Sequence, residues 1–529
     1  MGRAPPSSRS NKAAQVTEET GRRGRVHAVW LPAGIILAGA LLRIAYASGS
    51  DVRNVYDDHF QVTRIILEQH RWPHPDENWQ AYQPPLYHAL SALTYWLVSG
   101  RSQTPPAVDA TPEQWAAPLG LPCPYPWHMA GRKAIQLLSV AAGIGVLLLV
   151  WLTLRLLFPQ AALGQSAGLA LVAFLPRHIY MSGMATNDSL AWLWASLCVY
   201  AVLRALPARG KQPSAGYGWW VLAGVAAALA MWTKHYGLGS LGVLGAGLAA
   251  AVLVKDRSAR RGQWRGAALA LVVAIVLGAW PYVRTYRLTG SPIVSNFDRL
   301  PNTMTHQMPG ELSRVSWLSF RPVRLVERPW VHLSTVDSFW TSLYAESWFD
   351  FGTSATIYQY RPWLNFVWPI WRDRTLTGRE RERRGLMWDI NIMPARLLWE
   401  GRLLIALGLL PSAVTLLGLG ALWRRVPITA GVVLMASTAL GVATPAFQTV
   451  RQPFRSSMKV TFALSALLAL AVCFVSGCAW LTDRRHGNWL RAVVLANLVL
   501  LAAVVAYHFF DLALVFPGSP LYFARRDPL

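Results

Sequence analysis

Two aspartates, Asp57 and Asp58, stand side by side in the stretch NVYDDHFQVTRIILEQHRWPHPDENWQAYQPPLYHAL at 54–90. Adjacent carboxylates repel each other, which raises one of them toward neutral pH and suits it to take a proton as a general base. The second can orient the first or hold an acceptor group. A plainer reading is capping, because an aspartate at the head of a helix over 58–70 accepts amide hydrogen bonds and is favoured by the helix dipole. Which of the pair acts as base stays open. Two neighbouring carboxylates alone are a weak metal signal. No ligand set is assigned, although a divalent ion would be compatible with them.

A second group of residues is cationic. MWTKHYGLG holds Lys234 and His235, FQTVRQPFRSSMK holds Arg451, Arg455 and Lys459, and GRK holds Arg132 and Lys133. Arg43 lies within an apolar run, where a charge is expensive without a partner. Snorkelling to lipid headgroups explains each of these cations taken singly. As a set they suit a lipid phosphate, for which arginine presents a bidentate fork. A base beside phosphate-binding cations suits the displacement of a phosphate leaving group by a hydroxyl. One group deprotonates the incoming hydroxyl and the others hold the departing phosphate.

The elements that must position these residues are membrane helices. Of 529 residues, 53% are hydrophobic and 14% charged, against about 25% charged in soluble domains. Apolar runs fall near 28–48, 133–158, 163–182, 187–206, 217–233, 237–254, 266–286, 401–423, 427–446, 459–481 and 489–511. Several reach the roughly 20 residues that cross a bilayer. The expectation is an all-α integral membrane protein with about 11 transmembrane helices, within a range of roughly 10–13. The formal charge of +24 gathers in short loops such as 204–216, 255–261, 424–425 and 484–485. That pattern marks one side as cytoplasmic and argues against nucleic acid as a partner. The ends of the runs carrying Lys133, Lys234 and Arg451 then face the outside, where short loops should be poor in such residues. The first run ends in AYA, which resembles a signal cleavage site, but the basic leader and the many later runs favour an uncleaved helix. The four cysteines have neither disulfide-framework nor zinc spacing.

The expected organisation is a polar cytoplasmic tail at 1–26, a membrane module at 27–290 with a first outer loop at 49–132, an outer region at 291–400, and C-terminal helices at 401–529. The first loop carries two amphipathic stretches. One spans 58–70. The other follows Pro84 and Pro85, is short for a span, and suits a re-entrant or interfacial helix. Tyr82 and Gln83 precede it as candidate cavity residues. Asn187 and Asp188 open a later run, as caps or as the floor of a cavity. Glu346 stands among aromatics in DSFWTSLYAESWFDFG, a mixture that suits sugar faces and also interfacial anchoring. His59, His70 and His88 lack ligand spacing and are expected at the surface or the membrane interface, with His59 also counted as a cavity candidate beside the aspartates.

The order of the segments YDDHFQVTRIILEQHRWP, YQPPLYHALSAL, GRKAIQLLSV and MATNDSLAWLWASLCVYAVLR, with QTVRQPFRSSMKVTFAL near the end, resembles the bacterial GT-C superfamily of polytopic glycosyltransferases. The protein mannosyltransferase and aminoarabinose transferase-like group is the nearest in pattern. The resemblance runs from 30 to about 290. It implies a GT-C-type fold and a catalytic acid in the first outer loop, which maps onto Asp57 or Asp58. It also implies transfer of a sugar from a polyprenyl-phosphate carrier to a lipid, glycan or protein on the outer face of the cytoplasmic membrane. TKHYGL and VRQPFR resemble segments near the donor phosphate, which points to Lys234 and Arg451, with Arg455 and Arg132 beside them. The family pattern after the second cation is often Tyr, whereas Gln452 stands here. Two rivals stay in view. A transporter or flippase of lipid-linked glycans would show inverted repeats and discontinuous helices, and a non-catalytic scaffold would need no outer-face cations beside a carboxylate pair.

Overall fold

The computed structural model describes residues 30–48, 59–78, 80–99, 126–207, 216–294, 314–329, 335, 337–349, 395–451, 458–484 and 487–515. Asp57, Asp58 and Arg455 lie outside these residues. So do the tail at 1–26 and much of the region 291–400. Arg132 falls on a described helix, but its side chain is not among those described.

The described chain is helical apart from short links and an isolated bridge between Ser316 and Ser338. The first helix, α1, spans Trp30–Ser48. It is followed by α2 (His59–Gln69) and α3 (Leu86–Ser99), the two amphipathic helices expected in the first loop. Then come α4 (Pro126–Leu157), α5 (Ala162–Ala173), α6 (Pro176–Ser182), α7 (Asn187–Ala205) and α8 (Tyr217–Thr233). A 3₁₀ turn at His235–Leu238 leads into α9 (Gly239–Val252), α10 (Arg257–Gly278) and α11 (Trp280–Thr289). Two short helices, α12 (Pro322–Glu327) and α13 (Phe339–Trp348), precede the long α14 (Ala395–Arg425) and α15 (Ile428–Arg451). A 3₁₀ helix at Val460–Ala466 runs into α16 (Leu467–Thr482), and α17 (Gly487–Val515) ends the described chain.

Seven of the described helices are long and apolar enough to cross a membrane, or eight when the bent pair α10–α11 counts as one span. Each apolar run of the sequence falls on a helix, yet this test stops short of about eleven spans. The run at 163–182 is divided in two, because Pro176 has no amide hydrogen to continue α5 and starts α6 instead. α8, of 17 residues, is apolar but short. The 43° bend between α10 and α11 falls just before Pro281.

The break before α6 explains Arg43. Its side chain is fully buried in the bundle rather than snorkelling. Nη1 donates to the carbonyls of Gly39 at 2.7 Å and Ala173 at 3.2 Å, and Nη2 lies 2.6 Å from His178 Nδ1. Ala173 is the last residue of α5, so Arg43 satisfies a carbonyl that the break leaves without an intrahelical partner. Pro176, followed by Arg177 and His178, is the local mark of this break within an otherwise apolar run.

Close packing fixes the C-terminal half. A Cβ added at Gly418 would come within 1.7 Å of the Cys473 carbonyl oxygen, and one at Gly477 within 2.0 Å of that of Val414. α14 and α16 therefore touch backbone to backbone, the use of small residues typical of membrane helix pairs. α13 folds onto α14, α6 and the 3₁₀ helix at Val460–Ala466. Trp348 is buried, stacks over Gly408 and donates to Ser412 Oγ at 3.2 Å, whereas Trp340 is 42% exposed and donates to the Trp317 carbonyl at 2.7 Å. Trp348 is therefore part of the packed bundle, and Trp340 stays at the surface. Trp348→Ala should lower stability by about 3–5 kcal/mol through the cavity it leaves. Trp340→Ala should shift the apparent melting temperature in detergent far less. Equal shifts would show that α13 does not dock as described.

Candidate functional site

Five links gather one end of the bundle. Lys133 Nζ donates to the Ala47 carbonyl at the end of α1 at 2.5 Å, where a cation suits the helix dipole. Gln136 Nε2 donates to the Gly183 carbonyl at 3.1 Å, and Ser139 Oγ to that of Thr186 at 3.2 Å. Asn187 Nδ2 donates to the Thr233 carbonyl at 3.3 Å, and His235 Nε2 lies 3.2 Å from that of Tyr82. The opposite end holds the basic helix termini. There Arg204 lies over Trp219, and Arg425 pairs with Asp483.

At the gathered end the chain turns sharply after α8. Lys234 is extended, with φ −157° and ψ 150°, between α8 and the 3₁₀ turn. This sends its side chain back into the bundle, where it is 9% exposed. Lys234 Nζ donates to Asp188 Oδ1 at 2.7 Å, and Tyr236 Oη donates to the same oxygen at 2.9 Å. Thr186 Oγ1 donates to Asp188 Oδ2 at 2.9 Å. Thr186 is also the N-cap of α7, since its Oγ1 accepts from the Asp188 amide. Neither Asn187 nor Asp188 is the cap itself, which corrects the capping expectation. Both occupy the first turn, and Asp188 is the buried counter-ion of Lys234.

The histidines of the first loop lie near this cluster, on an α2–α3 pair whose α3 contacts α7 and α8. His59 and His88 are buried, with His59 Nδ1 3.0 Å from His88 Nε2, so neither is an exposed surface residue, while His59 remains a candidate beside the aspartates. The physical reason is that α2 lies on α3 and turns its first residue inward. Burial, with His59 beside it and Lys234 in electrostatic reach, holds the His88 imidazole well below its ordinary pKa. It is therefore neutral at neutral pH. Tyr87 joins α3 to α4 through Ser139, at 3.3 Å. His59 directly follows Asp58 in the chain.

Tyr82 stacks on His235 with ring centroids 6.0 Å apart and a 17° interplanar angle, and Gln83 Nε2 donates to Tyr82 Oη at 2.8 Å. Arg451 is the exposed last residue of α15 and lies within electrostatic reach of His235. Glu346 serves elsewhere. Its Oε2 accepts from the Val460 amide at 2.8 Å and lies 3.6 Å from Arg177 Nη2. It anchors the 3₁₀ helix that follows the α15 loop, and Phe462 of that helix packs on Tyr236 at 6.1 Å. Among the described residues no three His, Cys, Asp or Glu side chains come together as metal ligands.

Thr186, Tyr236, Tyr87, Ser139 and Arg177 complete these contacts and were not singled out by sequence. Tyr236, two residues after Lys234 in TKHYGL, had a usable signal. The others are ordinary hydroxyls and an arginine in apolar runs, with nothing local to distinguish them.

No family model and no curated protein matches the chain. Solved structures do resemble it. The oligosaccharyltransferase of Archaeoglobus fulgidus, in a complex with zinc and sulfate, is 14% identical, with a TM-score of 0.45 over 90% of this chain and 52% of that one. The same archaeon's oligosaccharyltransferase AglB, with an inhibitory peptide and a dolichol-phosphate, gives 13% and 0.46 over 92% and 55%. ArnT from Cupriavidus metallidurans bound to undecaprenyl phosphate gives 16% and 0.35 over 85% and 79%. Both kinds of protein are GT-C glycosyltransferases. The chain spans about half the length of the oligosaccharyltransferase it matches.

Proposed function

We propose that the chain is a membrane glycosyltransferase of GT-C type. It takes a sugar from a polyprenyl-phosphate donor and passes it to a lipid, glycan or protein acceptor at the outer face of the cytoplasmic membrane, with its N-terminus cytoplasmic. The observation that carries this reading is the buried Lys234–Asp188–Tyr236–Thr186 cluster, which lies near the histidine pair that follows Asp57 and Asp58. A buried ion pair is weak support for stability, so a charged pair kept at the membrane edge points to function. In this reading Asp57 or Asp58 deprotonates the acceptor hydroxyl, which attacks the anomeric carbon from the face opposite the phosphate and inverts it. Lys234 and Arg451, with Arg132 and Arg455, hold the phosphate. Its negative charge grows as the glycosidic bond breaks, so these cations act on turnover as well as affinity. The break before α6 is the feature a transporter would share, but Arg43 closes it within the bundle.

The test is donor titration of the full chain in nanodiscs with undecaprenyl phosphate and its glucosyl, mannosyl and arabinosyl forms. Arg451→Gln should weaken carrier binding by about tenfold, and Arg451→Lys less, because the charge stays while the planar fork is lost. If the chain binds none of the four lipids, the reading falls. If it binds them and both variants match the wild type, Arg451 is a headgroup anchor.

A further inference from the structure

Among the polar atoms at the gathered end that are buried without a hydrogen-bond partner are Gln83 Oε1, Asn187 Oδ1 and His235 Nδ1. In each residue the other polar atom is engaged. Gln83 Nε2 donates to Tyr82 Oη, Asn187 Nδ2 to the Thr233 carbonyl, and His235 Nε2 faces the Tyr82 carbonyl. A carbonyl oxygen only accepts, so His235 Nε2 carries the proton and Nδ1 of the neutral ring is an acceptor. All three unsatisfied atoms are therefore acceptors. They are also neighbours in the fold. Gln83 adjoins the tyrosine that stacks on His235, and Asn187 is bound to Thr233, two residues before that histidine. Leaving buried acceptors unpaired costs free energy, and a ligand rich in hydroxyl donors would recover it.

We infer that Gln83, Asn187 and His235 form a subsite that accepts hydrogen bonds from hydroxyl groups of the donor's sugar, next to the cations that hold its phosphate. This rests on the glycosyltransferase reading and adds the part of the donor these residues recognise. The acceptor-only set selects for sugar positions bearing free hydroxyls and against deoxygenated ones, because a site built to hydrogen-bond a hydroxyl is left unpaired by an analogue that lacks it.

The experiment measures affinity by native mass spectrometry of the full chain in nanodiscs. The probes are undecaprenyl phosphate and the same lipid bearing glucose, mannose or arabinose. At least one sugar-bearing lipid should bind roughly tenfold tighter than the bare phosphate. Gln83→Met and His235→Phe keep similar shape and remove an acceptor each, and each should lose about five- to tenfold of that gain. Binding of the bare phosphate reports that the variants are folded. If the wild type binds all four lipids equally, the subsite is overturned while the lipid-phosphate reading stands. A sugar gain that persists in both variants also overturns it. Absence of binding to every lipid removes the subsite together with the reading beneath it.

Discussion

Replacing Asp57 or Asp58 by asparagine is expected to lower sugar transfer by about 10²-fold or more in at least one of the two variants, the range over which a positioned base acts. The substitution separates chemistry from helix capping. α2 begins at His59, so the pair stands directly before a helix, where caps are found. Asparagine caps a helix about as well as aspartate, so capping survives the change and only the base is lost. His88, 3.0 Å from the His59 that directly follows Asp58 in the chain, does not stand in the way of an active carboxylate. A protonated imidazole would pair with it and depress its basicity, but burial keeps His88 neutral at neutral pH. The rate should fall on the acid side as the base takes up a proton, and that limb should vanish in the variant that has lost the base. The measurement is the pH–rate profile of the wild type and of both single variants with a sugar-bearing undecaprenyl phosphate. Full activity in both singles and in the double variant would remove the assignment.

The membrane class and the helices were legible in the sequence because both rest on local pattern. Apolar length marked the helices but not the number of spans, and amphipathic spacing after Asp58 and after Pro85 marked α2 and α3. Lys234 stood out because a cation in a short turn breaks the charge rule, and the turn is where it was expected. What the pattern missed is what only packing decides. Nothing local says that Lys234 turns inward to Asp188, 46 residues earlier in the chain, or that Arg43 reaches a carbonyl 130 residues away. His59 and His88 read as surface residues because each is polar in a mixed stretch, and they are buried because α2 lies on α3. Trp348 read as a loop aromatic because its helix is short and far from the nearest span, whereas Gly408 opens a slot for it on α14. Glu346 had the right composition around it for a sugar site, but its carboxylate is committed to the Val460 amide.

Asp188→Asn is expected to destabilise the fold by about 3–5 kcal/mol, because it strands Lys234 as a buried charge without its counter-ion. Asparagine keeps the volume, and its carbonyl oxygen can still accept from Tyr236. The loss is therefore electrostatic rather than steric. Lys234→Met is milder on that account, since it leaves a carboxylate that still accepts from Tyr236 and Thr186. The double variant, Asp188→Asn with Lys234→Met, removes both charges. Replacing a buried pair by neutral groups of similar volume is often close to neutral, so the double should recover most of the melting temperature that Asp188→Asn loses. Donor turnover should not recover with it if Lys234 holds the phosphate, because the cation is gone. This divergence is the informative result: stability follows the balance of charge and transfer follows the lysine. The measurements are the apparent melting temperature in detergent and transfer rate in nanodiscs for the two singles and the double. If the double regains both stability and transfer, Lys234 is a structural partner of Asp188 and the phosphate is held by other cations. If Asp188→Asn melts with the wild type, the pair does not organise this end of the bundle.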